Sequence, residues 1–411
     1  MGQRASSGNS AITQQRPATL QRRHFIIFAA ATILYWSSMY IYVPILSPYL
    51  QDRNLSMAWI GFILGSYGLT QLLLRLPLGI YSDRMSRRKP FLIVGMVASL
   101  GSCLLFMLPG GWEAPLAGRL LAGICASTWV PFSVLFASYY PADQTQKAMG
   151  TLSFLMVSGQ FVGMAASGLI ADLGGWNAAF WTGVAISLIG TAAAIFIREP
   201  KQPSPSSKAV PNTVFADTSE VLRSPRLWMF AILSLLAHGI LFITMFGFTP
   251  LQATQLGASE GQLTIIVAAF MIPHAFISLI SGRSLALRFG TQRVIVVGFA
   301  AAALFTALIP SSTNLWWLSL TQALNGAAQA MYFPLLLSLA IRGFAPTQRA
   351  TAMGLYQSVY SFGMFLGPYL AGGLNSYGGL KAGFWFGASL GIIAAIISSG
   401  KSLRNEQQAT F

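Results

Sequence analysis

Two stretches of this sequence carry the same pattern of glycines. Residues 148–175 read AMGTLSFLMVSGQFVGMAASGLIADLGG, and residues 352–379 read AMGLYQSVYSFGMFLGPYLAGGLNSYGG. The four glycines of the first stretch recur 204 residues later: Gly150, Gly159, Gly163 and Gly168 correspond to Gly354, Gly363, Gly367 and Gly372. Each stretch is long and apolar enough to cross a bilayer. The repeat predicts two similar halves, and a membrane protein of that kind is most simply a transporter with its site between the halves.

The composition indicates a membrane protein. Of the 411 residues, 54% are hydrophobic and 9% are charged, which is too few charges to cover a soluble protein of this size. In lipid the backbone must satisfy its own hydrogen bonds, so the crossing segments are predicted to be helices. We expect an all-α membrane protein with twelve transmembrane helices in two pseudo-symmetric six-helix bundles. The predicted spans are 24–46, 58–80, 91–109, 114–138, 148–171, 177–197, 227–249, 262–285, 293–310, 315–341, 350–373 and 382–399.

The basic residues predict the orientation in the membrane. Of the 25 lysines and arginines, 21 fall in the tails, in the loops after even-numbered spans or at the span ends beside those loops. By the positive-inside rule, both termini and these loops face the cytoplasm. Topology therefore explains the net charge of +15, and no nucleic-acid partner is expected. We expect a multi-pass monomer in the lipid bilayer of a cytoplasmic (inner) membrane.

A polar linker divides the spans into six plus six. Residues 198–226 include Glu199-Pro200-Lys201-Gln202-Pro203, a composition typical of a flexible connection. The predicted organisation is a cytoplasmic tail (1–23), a first bundle (24–197), the cytoplasmic linker (198–226), a second bundle (227–399) and a second cytoplasmic tail (400–411).

The loop between the second and third predicted spans carries a family signature. Residues 79–88 read GIYSDRMSRR. The spacing Gly-x-x-x-Asp-Arg-x-x-Arg-Arg resembles the signature loop of the major facilitator superfamily. The resemblance implies the major facilitator fold and a conformational latch between the halves, formed by Gly79, Asp83, Arg84, Arg87 and Arg88. Positive-inside topology alone is the alternative for the arginines, and the glycine and aspartate at this spacing favour the latch.

The glycine pattern resembles a second motif, found in the fifth span of twelve-span drug:proton antiporters. Here the fuller copy lies in the eleventh span, and the first copy has Met164 where the family has proline. These glycines can serve helix packing alone, or also a hinge or a seal against proton leak. The predicted hinge and packing residues are Gly150, Gly159, Gly163, Gly354, Gly363, Gly367 and Pro368.

Arg75 and Arg119 lie within predicted spans, further from the span ends than Arg283 and Arg293. Arg119, followed by Gly123 in the fourth span, resembles an antiporter motif whose arginine faces the central cavity and helps proton coupling. A charge in a span is costly and by default marks function, and the alternative for Arg119 is snorkelling to the outer interface. Arg75, near the inner end of the second span, is expected to snorkel or to pair with Asp83.

The resemblance implies that the first, fourth, seventh and tenth spans line a central cavity. Gln322, Asn325 and Gln329 share one face of the tenth span, where they can contact substrate or hydrogen-bond to a neighbouring helix. The aromatic residues together indicate an amphiphilic or aromatic small-molecule substrate. The predicted cavity residues are Tyr35, Trp36, Tyr40, Arg119, Trp129, His238, Phe242, Gln322, Asn325, Gln329 and Tyr332.

No acidic residue lies in the middle of a predicted span. The remaining candidates for proton coupling are Asp83, Glu113, Arg119, His238 and His274. Each histidine has a suitable ordinary pKa, and each can equally be a structural residue. The sequence contains no phosphate-binding loop, catalytic triad or metal-ligand cluster, so we expect no cofactor, no metal and no enzymatic activity.

These features predict a secondary active transporter that works by alternating access. The first interpretation is proton-coupled efflux of small lipophilic or amphiphilic compounds, as in multidrug resistance. Because no acidic residue lies in the middle of a predicted span, a second interpretation stays open. The chain would then transport sugars, organic anions or another metabolite, as a uniporter, symporter or exchanger. A sensor or scaffold without transport is a third possibility, against which the intact signature loop argues.

Overall fold

The structure, a computed structural model, describes residues 22–85, 87–140, 145–199, 220–344 and 348–400. Within these ranges it contains helices and short connections and no strand. The two predicted tails and most of the predicted linker fall on residues 1–21, 200–219 and 401–411, which lie outside the described ranges.

Six helices form the first half of the chain. Helix α1 comprises Arg22–Tyr40 and a second segment, Val43–Asp52; α2 is Met57–Met85; α3 is Lys89–Phe106; α4 comprises Glu113–Ser127 and Trp129–Ala137. A helical run, Thr145–Phe196, contains α5 and α6, which a non-helical Gly175 separates.

Six helices form the second half. Helix α7 is Pro225–Ile243, continued by a π-helical turn, Thr244–Phe248, and by Thr249–Gln255; α8 is Glu260–Ile280, continued by Ser281–Leu285 and Ala286–Phe289. Helix α9 is Thr291–Leu308 with a 3₁₀ turn at Ile309–Ser311, α10 is Leu315–Ile341, α11 is Arg349–Gly378 and α12 is Leu380–Ser399.

The lengths and compositions of these helices suit a bilayer. In the described part of the chain, ten segments are long and apolar enough to cross a membrane, and one of them, Ala148–Phe196, holds both α5 and α6. Helix α11 is not among the ten because its many Ser, Gln, Tyr and Gly residues lower its hydropathy. At 30 residues it is nevertheless long enough to cross beside its neighbours. The predicted fold of twelve helices in two six-helix bundles is confirmed.

Backbone geometry repeats between the halves. Gly175, between α5 and α6, has φ 72° and ψ 178°, and Gly379, between α11 and α12, has φ 66° and ψ −178°. These two residues are 204 positions apart, as in the glycine repeat. Helices α1 and α7 are also both interrupted, at residues 41–42 and in the π turn at 244–248. The sequence repeat therefore reflects a structural repeat.

Substituting either hairpin glycine should destabilise the protein by a similar amount. Side chains are almost excluded from this backbone region, so we expect Gly175→Ala and Gly379→Ala each to cost about 1–3 kcal/mol. Gly373→Ala is the control, because Gly373 is helical and a methyl group there would meet no neighbour within 4 Å. Thermal unfolding in detergent measures the effect. A neutral result for both hairpin variants would contradict the backbone geometry described.

Helix packing is equivalent in the two bundles. Helix α1 packs on α5 as α7 packs on α11, α2 packs on α4 as α8 packs on α10, and α3 packs on α6 as α9 packs on α12. Between the bundles, α2 packs on α11 and α5 packs on α8. Odd-numbered helices begin at the face that carries Arg22 and Ser399, which we call the terminal face, and even-numbered helices begin at the opposite face.

Candidate substrate site

The repeated glycines bring helix backbones together inside each bundle. A Cβ atom at Gly159 would lie 2.7 Å from the Ile33 carbonyl oxygen of α1, and one at Gly163 would lie 2.6 Å from that of Ser37. In the second bundle, Gly363 and Gly367 approach the backbone of α7 in the same way. By contrast, Gly150 has no neighbour within 4 Å and Gly354 makes only an ordinary contact with Leu76. The first glycine of each copy therefore has no close-packing role in this conformation.

The fourth glycine of each copy packs between the bundles. Gly168 of α5 lies against the Glu260 backbone of α8, and Gly372 of α11 lies against Met57 and Gly61 of α2. Thr264 of α8 also donates a hydrogen bond to the Ala165 carbonyl of α5, at 3.0 Å. All these contacts lie near the opposite face, where the second segment of α1 also packs on the end of α7. The bundles are therefore closed together on the opposite face.

Arg119 is buried where the bundles meet. Its side chain is 2% exposed, its Nε donates to the Leu64 carbonyl at 3.4 Å, and its guanidinium lies 4.4 Å from the centre of the Tyr67 ring. The gap beside it is lined by residues of both bundles, namely Met39, Tyr40, Val43, Tyr67, Phe242 and Phe246. Snorkelling to an interface therefore does not describe Arg119.

The predicted aromatic residues of α1 and α4 form one cluster beside this gap. The Trp36 ring lies 5.0 Å from Trp129 and 5.8 Å from Tyr40, and Tyr40 meets Phe246 of the other bundle at 5.6 Å. Tyr35 is held by its hydroxyl, which donates to the Cys125 carbonyl and contacts Thr128. The indole N–H of Trp36 is buried and has no partner among the described residues, so it is available to an acceptor on a ligand.

His238 and Phe242 of α7 lie at the same interface. Phe242 stacks on Tyr67 of α2, with ring centres 5.9 Å apart. His238 stacks on Tyr360 of α11 at 4.0 Å, and its Nδ1 donates to the Ser234 carbonyl at 2.8 Å. Because the acceptor is a carbonyl, Nδ1 carries the proton when the ring is neutral. Phe242 therefore contacts the other bundle directly. His238 instead stacks within its own bundle on Tyr360, which in turn accepts a hydrogen bond from Arg75 of the first bundle.

The prediction that Arg75 snorkels to the membrane interface was wrong. Its side chain is 4% exposed, Nη1 donates to the Tyr360 hydroxyl at 2.7 Å, and the guanidinium lies 5.2 Å from the centre of that ring. Sequence reasoning placed Arg75 near a helix end, within reach of water or of Asp83, whose side chain lies outside the described part of the structure. Helix α2 continues to Met85, so Arg75 lies well inside the helix and contacts the second bundle.

The polar face of α10 packs on α9. Asn325 donates to the Thr306 hydroxyl of α9 at 3.2 Å, Gln329 donates to Asn325 at 3.0 Å, and Tyr332 stacks on Phe299 of α9 at 4.0 Å. In this conformation Asn325 and Gln329 make interhelical hydrogen bonds, which was the alternative interpretation from sequence. Gln322 is fully buried, and its amide has no partner among the described residues. The polar residues of α10 are therefore not part of the proposed site.

Asn325→Ala should therefore act on stability rather than on substrate affinity. Removing the amide leaves the Thr306 hydroxyl and the Gln329 amide without a partner, at a cost of about 1 kcal/mol. Thermal unfolding and the half-saturation concentration for transport, measured on the same preparation, separate the two effects. A tenfold rise in the half-saturation concentration would show that the polar residues of α10 contact substrate.

The remaining coupling and latch candidates are scattered. Glu113 is exposed at the start of α4, and His274 lies in α8, where its Nδ1 donates to the Gly326 carbonyl at 3.1 Å. The surroundings of Gly79 and the side chains of Asp83 and Arg84 lie outside the described part of the structure. Arg87 is exposed, and the backbone N–H groups of Arg88 and Lys89 donate to the Glu199 carboxylate. Glu199 thus caps the start of α3, a role not predicted from sequence.

Sequence reasoning missed several contact residues of α2 and α11. Gly61 and Gly65 have the small-x-x-x-small spacing of close helix contacts, which could have predicted the packing of α2 on α11. A Cβ at Gly65 would lie 2.5 Å from the Phe365 carbonyl oxygen. Tyr67 and Tyr360 had no such signal, because a tyrosine at an arbitrary position of a span is typical of packing.

The geometry described is that of two six-helix bundles joined face to face, with polar and aromatic residues between them. A model of the Major Facilitator Superfamily matches residues 28–254 and 245–408. The chain belongs to the major facilitator superfamily. It is therefore a multi-pass membrane transporter of small molecules and not an enzyme, and the resemblance carried by residues 79–88 is confirmed.

Known transporters resemble the chain over most of its length. The inner membrane transport protein YajR of Escherichia coli is 25% identical over 370 residues, which are 88% of this chain and 79% of that protein. The multidrug resistance protein MdtG of Escherichia fergusonii is 23% identical over 400 residues, 94% of this chain and 96% of that protein. A crystal structure of a mutant nucleoside transporter NupG superposes with a TM-score of 0.73 at 16% identity, covering 92% of this chain and 99% of NupG.

Proposed function

We propose that this major facilitator exports small amphiphilic compounds across a cytoplasmic membrane, driven by protons that move the other way. The observation that carries the proposal is Arg119, a buried cation surrounded by aromatic and aliphatic side chains where the two bundles meet. Rings and aliphatic groups suit the apolar body of a ligand, and a few convergent polar groups fix its orientation. A charge at this depth in a membrane span is energetically costly, and by default it indicates a functional role such as ligand binding.

The contacts between the bundles support alternating access. Closure at the opposite face leaves the terminal face as the side from which a compound would enter in this conformation. By the positive-inside rule the terminal face is cytoplasmic, so this conformation is the loading state of an exporter. Rocking of one bundle against the other would then separate α5 from α8 and release the compound on the opposite face.

The proposal also includes coupling of transport to protons. The histidines deep in the described spans are His238 and His274, and only His238 lies against a ring that itself contacts the other bundle. A histidine there can change its charge when the surrounding contacts change between conformations. The relative MdtG is named a multidrug resistance protein. That name supports export, rather than uptake, as the direction of transport that we propose for this chain.

Transport by purified protein in proteoliposomes tests the proposal. The probes are three compounds with one aromatic body and different charge: 2-naphthoate, methyl 2-naphthoate and 2-naphthylmethylammonium. Binding of all three is measured by thermal stabilisation, and uptake of the two charged probes is measured under an imposed pH gradient with protein-free liposomes as the control. We expect an acid interior to drive uptake of a charged probe, with matching dissipation of the gradient.

Two outcomes would overturn the proposal at different levels. Uptake that is unaffected by the pH gradient would refute proton coupling and favour a uniporter or an exchanger. If no probe bound to the protein and none was taken up, transport of amphiphilic compounds would be refuted.

A further inference from the structure

Arg75 is a buried cation whose charge is not balanced by any acidic side chain among the described residues. Among the described residues it makes one hydrogen bond, to the Tyr360 hydroxyl, and its Nε has no partner there. The nearest ring, Tyr360, offers only a cation–π contact at 5.2 Å. Among the described residues no carboxylate contacts this guanidinium. A buried charge normally has a partner of opposite charge, because desolvation costs several kcal/mol.

Arg119 repeats this situation along the same interface. In the part of the chain that the structure describes, its guanidinium makes one hydrogen bond, to a backbone carbonyl, and one ring contact, to Tyr67. Tyr67 and Arg75 are both in α2 and are eight residues apart, so Arg119 contacts this helix about 12 Å along its axis from the position of Arg75. The described acidic side chains instead lie at or near helix ends: Asp52, Glu113, Asp172, Glu199, Glu220 and Glu260.

The groups around Arg75 form a structured wall rather than an open surface. Tyr360 is stacked on His238 with an angle of 4° between the rings, and Phe333 of α10 meets His238 at 4.8 Å. Tyr360 is therefore fixed in orientation, with its hydroxyl directed at Arg75. A guanidinium beside a hydroxyl is a donor set that suits a carboxylate, sulfonate or phosphate oxygen.

We propose that Arg75 and the Tyr360 hydroxyl bind the anionic group of the transported compound. The inference rests on the proposed function and adds its substrate class, organic anions with an apolar body. In this conformation Arg119 is enclosed by side chains of both bundles, whereas Arg75 lies closer to the terminal face, from which the compound would enter. The compound's apolar body would then contact the rings of Phe242 and Tyr67, which are stacked on each other at 5.9 Å in this conformation and must separate to admit it.

The competing explanation is a structural tether, since Arg75 belongs to the first bundle and Tyr360 to the second. A tether affects every transported compound equally, whereas an anion site affects only compounds with a negative charge. Binding of the three naphthyl probes to Arg75→Gln, Arg75→Lys and Tyr360→Phe distinguishes the two explanations. The ester and the ammonium compound are the internal controls, because they share the aromatic body.

We expect wild-type protein to bind 2-naphthoate at least tenfold more tightly than the ester or the ammonium compound. Arg75→Gln should abolish that preference without weakening the ester, Arg75→Lys should retain part of it, and Tyr360→Phe should reduce it a few-fold. Equal losses for all three probes in Arg75→Gln would establish the tether and overturn the anion site. Transport of the probes without charge preference would overturn this inference alone, whereas absence of any binding or uptake would refute the proposed function.

Discussion

Arg119→Met should reduce transport at least tenfold while leaving the folded protein as stable as wild type, or more stable. Methionine fills much of the space of the arginine stem without a charge. Replacing a buried charge by an apolar group of similar volume is often neutral or stabilising. The described partners of Arg119 are a carbonyl at 3.4 Å and the Tyr67 ring, so little structure depends on them. Uptake by proteoliposomes and thermal unfolding of the same preparation provide the measurement.

Arg53→Met is the matched control for this prediction. Arg53 donates to the Tyr49 hydroxyl at 2.7 Å and to the carbonyls of Leu108 and Gly110, which ties the end of α1 to the loop before α4. Losing these bonds should lower the unfolding temperature and leave turnover per folded molecule nearly unchanged. Arg119→Met that unfolds more easily but transports normally would show that Arg119 has a structural role.

Gly168→Leu should abolish transport because it prevents closure on the opposite face. Gly168 lies against the Glu260 backbone, so a side chain there forces α5 and α8 apart. Alternating access requires each face to close in turn, and a transporter held open on one face cannot complete its cycle. We expect at least a tenfold loss of uptake, with stability reduced only modestly because the contact lies between the bundles and not in a bundle core.

The same helix offers the control for this variant. Gly150 belongs to the same glycine pattern, yet its Cβ position has no neighbour within 4 Å. Gly150→Leu should therefore retain at least half of the wild-type uptake. If Gly150→Leu and Gly168→Leu lost uptake equally, the glycines would act through helix flexibility, and the close contact at Gly168 would not be the cause.

The fold could be predicted from the sequence because the hydropathy of each segment depends only on that segment, and because the repeat extends over whole segments. Twelve apolar segments and a 204-residue offset require two bundles of six, and predicted boundaries such as 315–341 match the observed α10. The interruptions of α1 and α7 were not predicted. The segment after each interruption has a proline in its first turn, Pro44 in α1 and Pro250 in α7. Proline has no backbone N–H to continue a helix, and a window of hydropathy does not register this.

The site was predicted less well, for a reason that Arg75 and Asn325 illustrate. Helical spacing indicates which residues share a face but not which neighbour that face meets. The amides of α10 could satisfy their hydrogen bonds from α9 or from a ligand, and the structure pairs Asn325 with Thr306. Arg75 could reach water or a second bundle, and only the approach of α11 on α2 decides between them.

A reversible cross-link between α5 and α8 tests the central proposal most directly. The Thr264 hydroxyl is 3.0 Å from the Ala165 carbonyl oxygen, so the two residues are neighbours across the closed opposite face. In Ala165→Cys with Thr264→Cys, loss of free thiols on oxidation establishes that the disulfide has formed. The native Cys103 and Cys125 are buried and should not interfere. We expect oxidation to stop uptake of the naphthyl probe that wild-type protein transports, and reduction to restore it. Uptake at the full rate by cross-linked protein would show that this face need not open, and alternating access between the two bundles would be refuted.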